Sequence, residues 1–485
     1  MNTATLSPSA KIRSGLDFPV IDSDGHTIEF QPAFLDVLKE FGGARAVEKF
    51  EQGNLDRFSQ NRTTAWYSGS ASDRARARTH RPAWWGVPAA NTLDRVTSSL
   101  PALLNERLDE LGLDFTVLYP SSGLVLPHTR DDELRAVACR ALNAFHARAF
   151  GAYAARMTPV AVIPMHTPDE AIAEMQYAVN VLGMKAIVMA SYVLRPRADG
   201  QGQWYDNFCL DSEHDYDPVW AKCIELKLSP TFHSGTQGLG TRMSVSNYMY
   251  NHIGHFAASG EALCKAAFMG GVTRRFPQLR MAFLEGGAGW AAALYCDLVA
   301  HWKKRNRAAI VNYDPARLDQ ALFWDLHRRY GGELVRGRLE GERNRALALY
   351  AGNPFHGSVE NDPGPVDEFE RCGISRPEDV RARFEPNFFF GCEADDPTNA
   401  WAFDAKKLPY GARLQAIFSS DIGHWDVPEM RDVLEEAHEL VEDGLITDAD
   451  FRDFVFVNPH RFWTHANPDF FKGTVIERYS KLVPK

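Results

Sequence analysis

FPVIDSDGHTIE, residues 18–29, is a short apolar strand that runs straight into a polar turn carrying Asp24, Gly25 and His26. Seven further segments share this design. LDFTVLYPS (113–121), PVAVIPM (159–165), MKAIVMAS (184–191), LSPTFHSG (228–235), LRMAFLEGG (279–287), NFFFGCE (387–393) and LQAIFSSD (414–421) are apolar runs of strand length that stop at polar or glycine-rich sequence. With 18–22 they place eight strands at 18–22, 113–119, 159–165, 184–190, 228–233, 279–285, 387–392 and 414–420.

Helical patterns lie between these strands. In 131–150, Leu134, Val137, Ala138, Ala141, Phe145 and Ala149 fall on one helical face. After the third strand, Thr167, Pro168 and Glu170 read as an N-cap, a proline at the first helical position and a capping-box acid. That helix carries Ile172, Met175 and Val179 inward and stops at Gly183. DPVWAKCIELK (217–227) and a stretch around 259–275 are the next helices. Strand–helix–strand alternation implies parallel strands joined by right-handed crossovers. Eight such units favour a closed (β/α)8 TIM barrel, an α/β fold, over an open doubly wound sheet. An open sheet would offer a glycine-rich phosphate turn, and GGAGW lacks the GxGxxG spacing.

The expected organisation is a flexible arm over 1–17 and one barrel domain over 18–485, with insertions at about 43–100 and 297–380. Residues 290–355 are strongly helical and charged, as in an inserted helical subdomain. RPAWWG (81–86) either covers a pocket or packs its aromatics on the barrel.

Composition narrows the function. The chain has 485 residues, 45% of them hydrophobic, and a formal net charge of -10. No basic run points to nucleic acid. No stretch is long and apolar enough for a membrane span, and the N-terminus lacks a signal-peptide core. Seven scattered cysteines without a CxxC pair read as reduced thiols of a cytoplasmic protein, each a small buried apolar residue. The expected partner is a small-molecule substrate.

Active sites of such barrels form where strands end at their C-terminal side. There the sequence puts Asp24 and His26, two apart and on one side of an extended stretch. It also puts His233 after strand five, Glu285 after strand six, and Asp421 after strand eight with His424 three residues on. Each has a structural alternative: Asp24 as a turn cap, His233 as a core histidine, Glu285 paired with an arginine, Asp421 as a helix cap, His424 packing on Trp425. Together at four strand ends they ask for a common partner, because buried charges are costly unless paired or metal-bound. A divalent cation is the simplest one.

These segments resemble the amidohydrolase superfamily, in the branch of aminocarboxymuconate-semialdehyde decarboxylase and related metal-dependent hydrolases. VIDSDGHTIE is similar to the opening metal motif, with Asp24 standing where many members have the first His of HxH. LGLDFTVLYPS, FHSG, RRFPQLRMAFLEGGAGW and FSSDIGHWD are similar to the later strand motifs. The resemblance implies Asp24, His26, His233 and Asp421 as metal ligands. Glu285 stands where many decarboxylases have a His, and strand four ends in MAS, without a lysine that could be carbamylated.

On this resemblance the expected reaction is cleavage of a C–C or C–N bond in a small carbonyl or aromatic acid, by hydrolysis or non-oxidative decarboxylation. Zinc or manganese would assist it. Asp421 would carry the proton, with His424 and His255 as further acid–base candidates. Glu393 is a further pocket or second-metal candidate; its alternative is a loop acid, and that of His255 a helix-start histidine. The carboxylate-rich set Asp24, Glu285 and Asp421 also suits iron, so the rival reading is a two-iron, O2-dependent monooxygenase on the same barrel. A third reading is a non-catalytic binding protein that binds no metal. Members of this branch often form homodimers, and the helical insertion is available as an interface.

Overall fold

The computed structural model describes residues 6–52, 66–83, 90–121, 123–313, 317–338 and 367–484. Among them eight parallel strands form the barrel: β1 Ile21–Thr27, β2 Phe115–Pro120, β3 Met157–Pro159 continuing as Ala161–Ile163, β4 Ile187–Met189, β5 Pro230–Phe232, β6 Met281–Phe283, β7 Phe388–Cys392 and β8 Gln415–Phe418. Each pairs with the next in parallel register. Val160 joins the halves of β3: its N–H donates to Leu118 on β2, and the next N–H, of Ala161, donates to Ala186 beside β4. The ring shuts between β8 and β1, where Asp421 N–H donates to the Asp24 carbonyl at 2.9 Å and His26 N–H to the Ile422 carbonyl at 2.6 Å.

Packing follows strand alternation. Inside, the Tyr119 hydroxyl of β2 donates to Thr231 Oγ1 of β5 at 3.0 Å, crossing the barrel. Phe232, Phe283 and Phe390, neighbours on β5, β6 and β7, stack at 5.6 and 6.2 Å. They meet Trp220, Trp290 and Phe384 of the surrounding helices.

Three expectations change. The first strand does not end at residue 22: it runs through the polar residues Asp22, Ser23, Asp24 and His26, all buried. Neighbouring strands supply the hydrogen bonds that make this polar strand possible. The segment expected as a flexible arm holds a helix, Pro8–Gly15, capped by the Ser7 side chain. Ser9 Oγ there accepts from Leu434 N–H, and the Arg13 guanidinium forks onto both oxygens of Asp114 at 2.5 and 3.0 Å. These anchors lie some hundred to four hundred residues along the chain, so local composition does not show them; residues 1–5 lie outside the described residues. At Thr167 only half of the capping box forms, because the Glu170 carboxylate turns to Arg135 at 2.8 Å.

The helix after β1, Gln31–Glu51, carries a non-helical Gly43 and enters the first insertion. Arg81 ties that insertion to the loop after β5 through Ser244 and Ser246. Trp84 and Trp85 of RPAWWG lie outside the described residues, as does 339–366 of the later insertion. The described part of that insertion includes the helix Gln320–Tyr330. All seven cysteines are free thiols. Among the described residues no helix is long and apolar enough to cross a membrane.

Candidate metal centre

The site begins with a bulge. The β1–β2 register shifts between Asp22 and Gly25, which re-aims the strand as bulges do. Asp22 accepts from Thr116 Oγ1 at 2.5 Å, from Ser420 Oγ at 2.8 Å, and from the main-chain N–H groups of Ser420 and Asp24 at 2.9 and 3.2 Å. One buried carboxylate thus links β1, β2 and β8. Burial pushes it up to about 6 in spite of those bonds. A Cβ at Gly25 would come within 2.7 Å of both Asp22 Oδ2 and Thr116 Oγ1, so the close approach requires glycine.

Beyond the bulge Asp24 and His26 face the barrel mouth together. His26 Nε2 lies 3.7 Å from Asp24 Oδ1 and 3.3 Å from His233 Nε2. His233 Nε2 is 3.9 Å from Asp24 Oδ1 and 3.1 Å from Glu285 Oε2. Asp421 Oδ1 is 3.1 Å from His26 Nε2. Glu285 and Asp421 both have left-handed backbones, φ 54° and 51°. Non-glycine residues seldom adopt that region outside sites that need it. At both positions the chain turns sharply where a strand ends.

His424 belongs to the same group. Its Nδ1 is 2.9 Å from Asp421 Oδ2 and 2.7 Å from Asp426 Oδ1, and its ring stacks on His26 at 5.1 Å. The Trp425 ring is farther off, at 6.3 Å. His255 is not brought to this group. Its Nε2 meets His252 Nδ1 at 3.1 Å and Gln237 Nε2 at 3.3 Å, and His252 Nε2 stands 3.8 Å from Asp426 Oδ2. Among the described residues no hydrogen bond or ion pair joins the Glu393 side chain to the centre. It feels the centre's field: burial, then Asp421 and Asp426, push it up to about 8. Asp22, Asp426, His252 and Gln237 were not singled out from the sequence. Asp426 was within reach, two residues after His424 in FSSDIGHWD.

The donor set fits a cation. Asp24 is fully buried, and among the described residues no hydrogen-bond donor serves either of its carboxylate oxygens, nor either oxygen of Glu285. Such groups are expensive unless a cation or proton neutralises them. His26 turns Nδ1 to Ser121 Oγ at 3.2 Å, which directs Nε2 at the centre, as a hydrogen bond to the far ring nitrogen does in metal-binding histidines. Burial, then Asp421, hold Asp24 and Glu285 well above the usual carboxylate range, and burial pushes Asp421 up to about 7. Burial holds His26 and His233 neutral, well below the usual imidazole value. His424 goes the other way: burial is outweighed by Asp421 and Glu285, which keep it cationic. Among the described residues two groups have ligand atoms mutually within 4.8 Å, Asp24–His26–His233 and Glu285–Asp421–His424–Asp426.

Among solved structures, the chain is similar to an amidohydrolase from Mycobacterium avium subsp. paratuberculosis K-10, with 15% identity, a TM-score of 0.51, and coverage of 92% of this chain and 98% of that one. A 5-carboxyvanillate decarboxylase from Novosphingobium aromaticivorans with bound manganese matches at 13% identity and TM-score 0.49, covering 92% and 97%. A 2,6-dihydroxybenzoate decarboxylase from Rhizobium matches at 15% and 0.47, covering 92% and 99%. The first likeness extends the fold to nearly the whole chain. The sequence pattern of the amidohydrolase family matches residues 21–326, well over half of the chain, and includes Asp24, His26, His233 and Glu285. The chain belongs to the amidohydrolase family and is a metal-dependent enzyme on a (β/α)8 barrel.

Proposed function

We propose that the enzyme cleaves a C–C or C–N bond of a small carbonyl or aromatic acid substrate, by hydrolysis or non-oxidative decarboxylation, with a zinc or manganese ion held by Asp24, His26, His233 and Asp421. The observation that carries this reading is the Asp24 carboxylate, fully buried, without a hydrogen-bond donor among the described residues, and 3.7 and 3.9 Å from two histidine Nε2 atoms. The bond type rests on family membership; the residues speak to proton handling. A divalent cation there would supply Lewis acidity to a substrate oxygen and acidity to water.

Asp421 is the proton carrier on this reading. Its carboxylate oxygens lie 3.1 Å from His26 Nε2 and 2.9 Å from His424 Nδ1, and a general acid–base group must stand within hydrogen-bond reach of the proton it moves. In hydrolysis it takes the proton of the attacking water and returns it to the leaving nitrogen. In decarboxylation it delivers a proton to the carbon that loses CO2. His424, hydrogen-bonded to Asp426 at 2.7 Å and with Nδ1 2.9 Å from Asp421 Oδ2, is the group that orients that carboxyl on this reading. His255 and Glu393 border the site without touching the reacting region.

A second reading, O2 activation by iron, draws on the excess of carboxylates: Asp24, Glu285, Asp421 and Asp426 all stand at the centre, a hard ligand set that suits iron as well as zinc. Metal analysis of protein purified with and without air separates the two. Zinc or manganese, lost together with turnover in Asp24→Asn, supports the first reading. Iron with O2-dependent turnover supports the second. Metal-free protein that turns over a substrate overturns both.

A further inference from the structure

The segment that leads from β5 into the helix His255–Met269 gathers four polar atoms beside the centre. Gln237 Nε2 lies 3.2 Å from the Tyr248 hydroxyl, 3.1 Å from His252 Nδ1 and 3.3 Å from His255 Nε2, and His252 Nδ1 is 3.1 Å from His255 Nε2. An amide nitrogen only donates, so His252 Nδ1 accepts. His255 leads to the same assignment. Its Nδ1 is buried without a hydrogen-bond partner among the described residues, packed where a Cβ on Gly235 would come within 2.3 Å. A proton there would be stranded, so it sits on Nε2 and faces the same His252 nitrogen. The partner of one ring nitrogen decides what the other carries, and His252 therefore bears its proton on Nε2.

That N–H is turned toward Asp426. Among the described residues no hydrogen bond takes it up: Asp426 Oδ2 stands 3.8 Å away, beyond hydrogen-bond reach. Both side chains keep a way to solvent, at 14% and 25% exposed. Asp426 Oδ1 bonds to His424 Nδ1 at 2.7 Å, so the gap lies one side chain away from the candidate centre. Trp425, half-buried, stands edge-on to His252 at 5.1 Å and to Tyr248 at 6.2 Å and gives the gap an apolar flank.

We propose that this gap is a subsite for a hydroxyl group of the substrate, which accepts from His252 Nε2–H and donates to Asp426 Oδ2. The inference rests on the reading of the centre above and names a group that its substrate carries. A donor and an acceptor facing one opening select a group that is both, and an oxygen standing off the line between them reaches each. A carboxylate or carbonyl oxygen would accept from His252 but bring no hydrogen to Asp426. An ammonium would serve Asp426 and not His252, and an ether loses the half that Asp426 needs. Phenols and alcohols both qualify. Gln237 and His255 are positioning residues, because they fix which nitrogen of His252 bears the proton.

The test is calorimetric titration of phenol and of cyclohexanol, each against its methyl ether, into manganese-loaded enzyme. Wild type should bind at least one of the two hydroxyl compounds about 10- to 100-fold more tightly than its ether, the range for a hydrogen bond to a charged group; which of the two it prefers tells an aromatic from an aliphatic hydroxyl. His252→Leu should erase the preference. His252→Gln, whose amide nitrogen stands near the place of Nε2, should keep most of it. Gln237→Glu, the same in size but without the donor, should lose it, whereas a merely structural Gln237 would leave the ratio of affinities unchanged. Circular dichroism and manganese binding, read on each protein first, show that fold and centre are intact, and the wild-type comparison decides even where a variant fails to fold. Equal affinities for hydroxyl compound and ether in wild type, no binding of either, or a preference that survives His252→Leu overturns the subsite; manganese still bound leaves the first-cation reading standing. Folded wild type that takes no manganese overturns that reading, and the subsite with it.

Discussion

The main-chain N–H of Asp421 donates to the carbonyl oxygen of Asp24 at 2.9 Å. The two carboxylates expected to share a cation are thus joined through their backbones, at the seam where β8 meets β1. The hydrogen bond that helps close the barrel thus also fixes two residues of the candidate centre. Metal binding should therefore stabilise the whole fold: a ligand that binds only the folded state adds about 2.7 kcal/mol at a hundredfold excess over Kd. The thermal midpoint should rise by a few degrees when zinc or manganese is added to chelator-treated protein. The rise should vanish in Asp24→Asn; an unchanged midpoint in wild type would sever the link between seam and cation.

Gly25→Ala tests the bulge. The added Cβ would meet Asp22 Oδ2 and Thr116 Oγ1 at 2.7 Å each, and Ile422 Cγ1 at 3.1 Å. Asp22 cannot retreat without breaking its bonds to Ser420 and Thr116. Overpacking of this kind costs about 1–3 kcal/mol, and here the loss should include metal affinity, since Asp24 and His26 flank the glycine. Gly15→Ala is the control. Nothing lies within 4 Å of its added Cβ, so its stability should stay within about 0.5 kcal/mol of wild type. Chemical denaturation of both, with metal titration, reads the contrast.

The eight strands were legible because each pairs an apolar run with a polar stop, and the helices between them keep their periodicity. The grouping of Asp24, His26, His233, Glu285, Asp421 and His424 could be expected because the sequence puts each near the C-terminal end of an apolar strand, although β1 in fact continues through Asp24 and His26 to Thr27. Asp22 was not legible. Its partners Thr116 and Ser420 are distant in sequence, and an aspartate inside a strand reads as a strand's end unless those partners are known. The helix Pro8–Gly15 escaped likewise, since Asp114 and Leu434 hold it. His255 sits at a helix start near the mouth, but His252 and Gln237 take up its ring, a contact no spacing rule announces.

Acid should destabilise the protein through histidines that burial keeps neutral. His146, between the rings of Phe145 and Phe150, is pushed down to about 3 by burial. Between pH 6.5 and that value the unfolded chain binds a proton that the folded chain refuses. Stability is therefore fully present above pH 6.5 and falls as pH drops, by up to about 1.4 kcal/mol per pH unit for one proton. His146→Leu keeps the apolar packing and removes the titration. The thermal midpoint of this variant should fall less steeply from pH 6.5 to pH 4 than that of wild type. Parallel curves would assign the acid sensitivity to other groups, among them His460, which burial pushes down to about 4.

Asp421 is asked to do two things, to hold a cation and to carry a proton, and the two can be separated. Asp421→Ala removes both oxygens, so metal content and turnover should fall together. Asp421→Asn keeps one oxygen as a donor at the same strand end but cannot exchange the proton. General acid–base groups contribute about 10²–10⁴-fold, so Asp421→Asn should lose that much in kcat with a KM near that of wild type, once metal occupancy is matched at saturating manganese. Its pH–rate profile should also lose the limb that the carboxyl produces. If metal-matched Asp421→Asn kept wild-type kcat and its pH dependence, the proton would travel by another group, and the adjacent Asp426, bonded to the same His424 nitrogen at 2.7 Å, would be the next to replace.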